Sequence, residues 1–216
     1  MSIKAIIFDY GEVLNVLEDP TADEAQRANL AQRLNLEPDE LWSYLFEGDP
    51  AKKWMSGQIT RDEFWKAVLA PHGITDPAEI AAFAESVFGT RNQINPEMAT
   101  LAQELKGRYK LAVLSNTGWT EKEMQTKLYN HFGLPEGLFD VIVSSTSVGL
   151  VKPDLGIFQL ALERLGVRPE EAIFADDIPN FTASAAKLGI NTHTFTTPSA
   201  FRDYLQQMEV LPSDER

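Results

Sequence analysis

Short apolar runs alternate along the chain with stretches in which apolar residues recur at helical spacing, the pattern of an α/β protein with a mostly parallel sheet. The runs predict strands at Ile3–Phe8, Lys110–Leu114, Asp140–Val143, Ala172–Ala175 and Asn191–Phe195. Helices are predicted between them at Pro96–Leu105, Thr120–Phe132, Leu155–Leu165 and Phe181–Leu188. A last helix carries Phe201, Tyr204, Leu205 and Met208 on one face.

One interval breaks the alternation. Between the first and second strands the sequence reads as almost wholly helical. Thr21-Ala-Asp-Glu24 and Thr60-Arg-Asp-Glu63 have the form of capping boxes, in which hydroxyl and carboxylate satisfy free N–H groups reciprocally. Asp76-Pro77 and Asn95-Pro96 each set a cap before a proline at the first helical position. Ile80, Phe83, Ala84, Val87 and Phe88 follow helical spacing. The expected organisation is an α/β core (1–16 and 93–216) interrupted by a helical insert (17–92), with connections at Asn15–Pro20 and Gly89–Asn92.

Composition narrows the partners. The net charge of −13 repels nucleic acid and anionic lipid, so neither is expected, and a phosphate site here needs local cations. There are no cysteines, which excludes disulfides, thiolate zinc sites and cysteine nucleophiles and suits a reducing cytoplasmic setting. The apolar cluster Ala5–Phe8 ends at Asp9, too short for a secretory or membrane segment.

Four polar clusters follow predicted strands, where ligands of open α/β sheets bind. They are Phe8-Asp9-Tyr10-Gly11-Glu12, Ser115-Asn116-Thr117, Val151-Lys152-Pro153 and Asp176-Asp177-Ile178-Pro179-Asn180. Singly, each has a bland reading: a turn, a solvated helix start, a surface lysine. Together, Asp9, Asp176 and Asp177 would repel one another unless their pKa values rise or a cation neutralises them. Oxygen donors without cysteine or a nearby histidine favour magnesium. Lys152 adds charge, and Ser115 and Asn116 add neutral donors that can cradle a phosphoryl group. A carboxylate aimed at phosphorus would act as a covalent nucleophile.

In this order the motifs resemble those of the haloacid dehalogenase-like hydrolase superfamily, and the helical insert resembles its small C1-type cap. The stretch Phe-Asp-x-Gly-x-Val is similar to a branch that includes bacterial glucose-1-phosphate phosphatases. The resemblance implies a Rossmann-like three-layer core with a five-stranded, mostly parallel sheet and an all-helical cap closing over the substrate. It implies a magnesium-dependent phosphohydrolase acting on a small phosphorylated metabolite through an aspartyl-phosphate on Asp9. Metal ligands would be Asp9, the Gly11 carbonyl and Asp177, with Asp176 acting through water. Ser115, Asn116 and Lys152 would bind phosphate, Lys152 also steadying Asp9, and Asn116 and Asn180 would orient these groups.

One position departs from the pattern. Phosphatases of this superfamily usually carry a general acid two residues after the nucleophile, and here that residue is Gly11. Glu12, a water or a good leaving group would have to replace it. Two rival readings stay open: a 2-haloacid dehalogenase using the same aspartate without metal, and a non-catalytic interaction protein keeping the fold. His72, His131 and His193 lack metal-ligand spacing, and Trp42, Trp54 and Trp65 have spacings suited to helix packing. Arg27, Arg61 and Arg91 could reach an anionic substrate from the helical insert, but surface arginines are commoner.

Overall fold

The run Ala-Ile-Ile-Phe forms a strand buried at every residue, as a central strand of a parallel sheet must be. The computed structural model describes residues 2–16, 20–88 and 93–212, the side chains of residues 20 and 88 excepted. Its strands are β1 (Ala5–Phe8), β2 (Asn15–Val16), β3 (Gln93–Ile94), β4 (Lys110–Ser115), β5 (Val141–Ser144), β6 (Ala172–Asp176) and β7 (Asn191–Thr194). The helices before β3 are α1 (Pro20–Arg33), α2 (Leu41–Phe46), α3 (Asp49–Met55), α4 (Arg61–Leu69) and α5 (Pro77–Phe88). Those after it are α6 (Pro96–Leu105), α7 (Glu121–Gln125), α8 (Ser145–Val148), α9 (Leu155–Leu165), α10 (Pro179–Ala186) and α11 (Pro198–Gln207).

Five strands make one sheet in the order β5-β4-β1-β6-β7, and every pairing in it is parallel. Side chains alternate across β1 with the two-residue period of a strand. Ile6 and Phe8 enter a core with Met98 and Leu101 of α6 and Phe201 and Leu205 of α11. Ala5 and Ile7 enter a second core with Phe158 and Ala161 of α9 and Ala185 of α10. The result is the expected α/β architecture of three layers. Truncating a ring such as Phe8, edge-on to both Phe139 and Phe201, to alanine would cost roughly 3–5 kcal/mol.

α1 to α5 share a separate core of Leu30, Leu45, Trp54, Phe64, Trp65 and Phe83, with Trp54 stacked on Phe64. The packing reading of Trp54 and Trp65 matches this burial, and Trp42 is partly buried against the same cluster. Thr60 and Glu63 form the capping box of α4, and Asp76 and Asn95 accept from backbone N–H groups at the starts of α5 and α6. The Thr21 box does not form the start of α1, because the helix already includes Pro20 and Thr21 lies inside its first turn. The two-residue strands β2 and β3 pair antiparallel and bring the ends of this helical segment together. Of the two predicted connections, residues 17–19 and 89–92, Arg91 among them, lie outside the described residues.

Other differences are local. The predicted helix Thr120–Phe132 is α7 followed by a π-helical turn over Thr126–His131. α8, β2 and β3 carry no periodicity long enough to be read from sequence.

Candidate active site

Register brings the acids together. Phe8 lies opposite Ala175 in the β1–β6 pair, so Asp9 and Asp176 leave neighbouring strands side by side. The Asp9 N–H donates to the Ala175 carbonyl at 2.9 Å. Asp177 follows, and carboxylate oxygens of Asp9, Asp176 and Asp177 lie within 4.8 Å of one another. Ser115 ends β4 on the other side of β1 and is buried, with no hydrogen-bond partner for its hydroxyl among the described residues.

Lys152 arrives from the loop between α8 and α9, and its side chain is 1% exposed. All three of its N–H donors are used. Nζ donates to Asp9 Oδ1 at 2.7 Å, to Asp176 Oδ2 at 2.5 Å and to the Leu114 carbonyl at 3.3 Å. The Phe181 and Phe174 rings stand 5.0 and 5.6 Å from the ammonium. Burial alone would depress the lysine pKa, but the two carboxylates outweigh it and hold Lys152 above its usual value. The lysine is therefore a fixed cation.

The carboxylates are less comfortable. Burial pushes Asp9 up to about 7; Lys152 opposes this and the Asp176 charge adds to it. Asp177 is also raised, by burial first and then by the charges of Asp176 and Glu12. Asp176 is fully buried and both its oxygens are engaged, Oδ1 accepting from the Ile178 N–H at 2.9 Å. One buried ammonium thus faces three converging acids, an excess of negative charge that a divalent cation would relieve. Asp9, Asp176 and Asp177 can hold a metal, and an all-oxygen donor set suits a hard one.

The Asn116 side chain lies on the backbone of Lys152. Its amide N–H donates to the Lys152 carbonyl at 2.9 Å, and its Oδ1 accepts from the Lys152 N–H at 2.8 Å. The side chain holds the lysine's backbone, a contact across 36 residues that no local pattern records. Gly11 and Glu12 lie in a turn directly after Asp9; Gly11 has φ −68° and Glu12 φ 56°. Asn180 is exposed in the first turn of α10. The histidines lie elsewhere: His72 is hydrogen-bonded to the Tyr44 hydroxyl, and His193 packs on Phe201 and Tyr204.

A buried Asp–Lys–Asp constellation thus stands at the carboxyl edge of the parallel sheet. The haloacid dehalogenase-like hydrolase family matches residues 3–189, and the chain belongs to it. Drimenol cyclase of Aspergillus calidoustus is 26% identical over 89% of this chain, which spans only 34% of the cyclase's length. Sesquiterpene phosphatase of Aspergillus oryzae is 26% identical, covering 89% of this chain and 90% of its own. The fold is shared with a haloacid dehalogenase family enzyme of Bacteroides thetaiotaomicron, solved with magnesium and inorganic phosphate. The TM-score is 0.69 at 23% identity, covering 90% of this chain and 95% of that one. Among the described residues no helix is long and apolar enough to cross a membrane.

Proposed function

We propose that this hydrolase is a magnesium-dependent phosphohydrolase of small phosphate monoesters, sugar phosphates among them, with Asp9 as nucleophile. The observation that carries the reading is the buried Lys152 bridging Asp9 and Asp176 beside Asp177. The phosphatase among the relatives and the magnesium and phosphate of the related Bacteroides structure support it. Asp9, Asp177, Asp176 and the Gly11 carbonyl would hold the ion, which when bound supplies positive charge for the phosphoryl oxygens.

The chain's own residues do the rest. Lys152 holds Asp9 by a charge-assisted hydrogen bond to Oδ1, which leaves Oδ2 for attack on phosphorus. Ser115 offers its hydroxyl to a phosphoryl oxygen. Asn116 serves the phosphate site through Lys152, by fixing that residue's backbone. Attack forms an acyl phosphate on Asp9 and expels the alcohol, and water then hydrolyses it to regenerate the carboxylate. Glu12, whose charge acts on Asp177, is the candidate to give and take the proton that Gly11 cannot. The helical segment 17–92 acts as a cap over the core 1–16 and 93–216, excluding bulk water during transfer.

Phosphate release from p-nitrophenyl phosphate tests the reading. It should require magnesium and stop in EDTA. Halide release from a 2-haloacid without metal would move the protein to the dehalogenase class, and silence in both assays to a non-catalytic role.

A further inference from the structure

Of the three described arginines in the helical segment, Arg27 pairs with Asp39 at 3.8 Å and Arg33 with Glu79 at 3.3 Å. Arg61, the first residue of α4, has no acid partner among the described residues. It lines a cavity of about 300 Å³ with Trp54, Gln58, Thr60, Gly118 and Thr146. The cavity lies at the seam between helical segment and core, where the Thr146 hydroxyl, donating to the Thr117 carbonyl at 2.5 Å, also lies 3.2 Å from the Trp54 carbonyl and 3.4 Å from that of Met55. Gly118 is three residues beyond Ser115, so the cavity adjoins the turn that carries the proposed phosphate site.

Trp54 closes one wall of the cavity. Trp54 is 5% exposed, and its buried indole N–H has no acceptor among the described residues. The ring lies so close to the Gly118 backbone that a Cβ there would overlap it, so glycine is what admits the indole to the seam. Glu63, the acid in the wall, is spent on its own helix, accepting from the Thr60 N–H at 2.7 Å and hydroxyl at 2.8 Å.

A second cation, Lys127, lies outside the lining of this cavity. Lys127 Nζ sits 4.0 Å over the face of Trp119, and Trp119 packs edge-on against Tyr10, the neighbour of Asp9. Lys127 also has no acid partner among the described residues. Burial, and then the charge of Arg61, holds its ammonium below the usual lysine range. Arg61, without an acid partner among the described residues and lining a cavity in a chain of net charge −13, leaves a place for an acceptor that carries negative charge.

We infer that this seam binds a second anionic group of the substrate, a carboxylate or phosphate remote from the one transferred. Arg61 grips it with its planar fork, and Lys127 adds charge. The inference rests on the phosphohydrolase reading and narrows its substrates to monoesters with a second negative group.

Matched substrates test it. With magnesium, kcat/KM should be about tenfold or more higher for 3-phosphoglycerate than for glycerol 3-phosphate, or for fructose 1,6-bisphosphate than for fructose 6-phosphate. The pair with the larger ratio tells carboxylate from phosphate. Arg61→Gln should bring that ratio close to one, and Lys127→Gln should lower it. A wild-type ratio near one in both pairs overturns the inference, as does a ratio that both substitutions leave intact. Calorimetric binding of the same four compounds to the Asp9→Asn protein reads the preference without turnover. Preference in binding with no phosphate release from any compound supports the anion site and overturns the phosphohydrolase reading instead.

Discussion

Gly11 is open to the acid it lacks. Its φ of −68° and ψ of 135° suit any L residue, and a Cβ there would meet Asp9 Oδ2 at 3.7 Å, an ordinary contact. The left-handed residue of this turn is Glu12, a conformation that costs a side-chain-bearing residue roughly 1–2 kcal/mol. Gly11→Asp should therefore fold, and should raise steady-state turnover of alkyl phosphates by up to about 10²–10⁴-fold if nothing else supplies the proton. Little gain from Gly11→Asp, with a crippled Glu12→Gln, would assign that task to Glu12. Asp9 gives a second prediction. Its folded pKa of about 7 lies above the value of an unfolded aspartate, so between those values the folded state binds a proton that the unfolded state has released. Metal-free stability should then fall as pH rises through this window. Asp9→Asn should abolish turnover, yet melt at higher temperature than the wild type at pH 8 without metal. The gap should close towards pH 4, and an unchanged Tm difference across that range would refute the charge argument.

At the scale of elements, register and one side-chain clamp make the site. The parallel pairing of β1 with β6 sets Asp9 beside Asp176. The loop after α8 is tied back to the end of β4 by the two Asn116 hydrogen bonds to Lys152. Each neutral hydrogen bond contributes about 1 kcal/mol, too little to unfold the core when lost. A small displacement of a catalytic group can nevertheless cost on the order of 10²-fold in rate. Asn116→Ala should accordingly lower kcat by about that factor with little change in KM. A rise in KM at constant kcat would mean instead that the amide touches substrate. The clamp was not legible in sequence, where Ser115-Asn116 reads as an ordinary turn after a strand. The capping box at Thr60 was legible, because its partners are three residues apart and the chemistry is local.

The whole molecule has a net charge of −13, and its site gathers three acids on one buried lysine. A divalent cation that binds only the folded state should raise stability, by about 2.7 kcal/mol at a hundred times its Kd. For a chain of this size that is a Tm shift of roughly 5–10 °C, which a thermal melt with and without magnesium will show. Asp177→Asn should shrink the shift, and equal shifts in both proteins would exclude Asp177 as a ligand. By itself the sequence determined what repeats locally: the runs that form the five strands of the sheet, most of the helices, and the polar residues at strand ends. Periodicity of two or 3.6 residues and caps of three are properties of neighbours in the chain. Only the tertiary structure decided the strand order, the three bonds of Lys152, and the seam where Arg61 meets Trp54 and Gly118. The Lys152–Asp9 pair joins residues 143 apart, and Thr146 reaches Trp54 across 92. Contacts at such separations are set by how layers pack, and no local pattern encodes them.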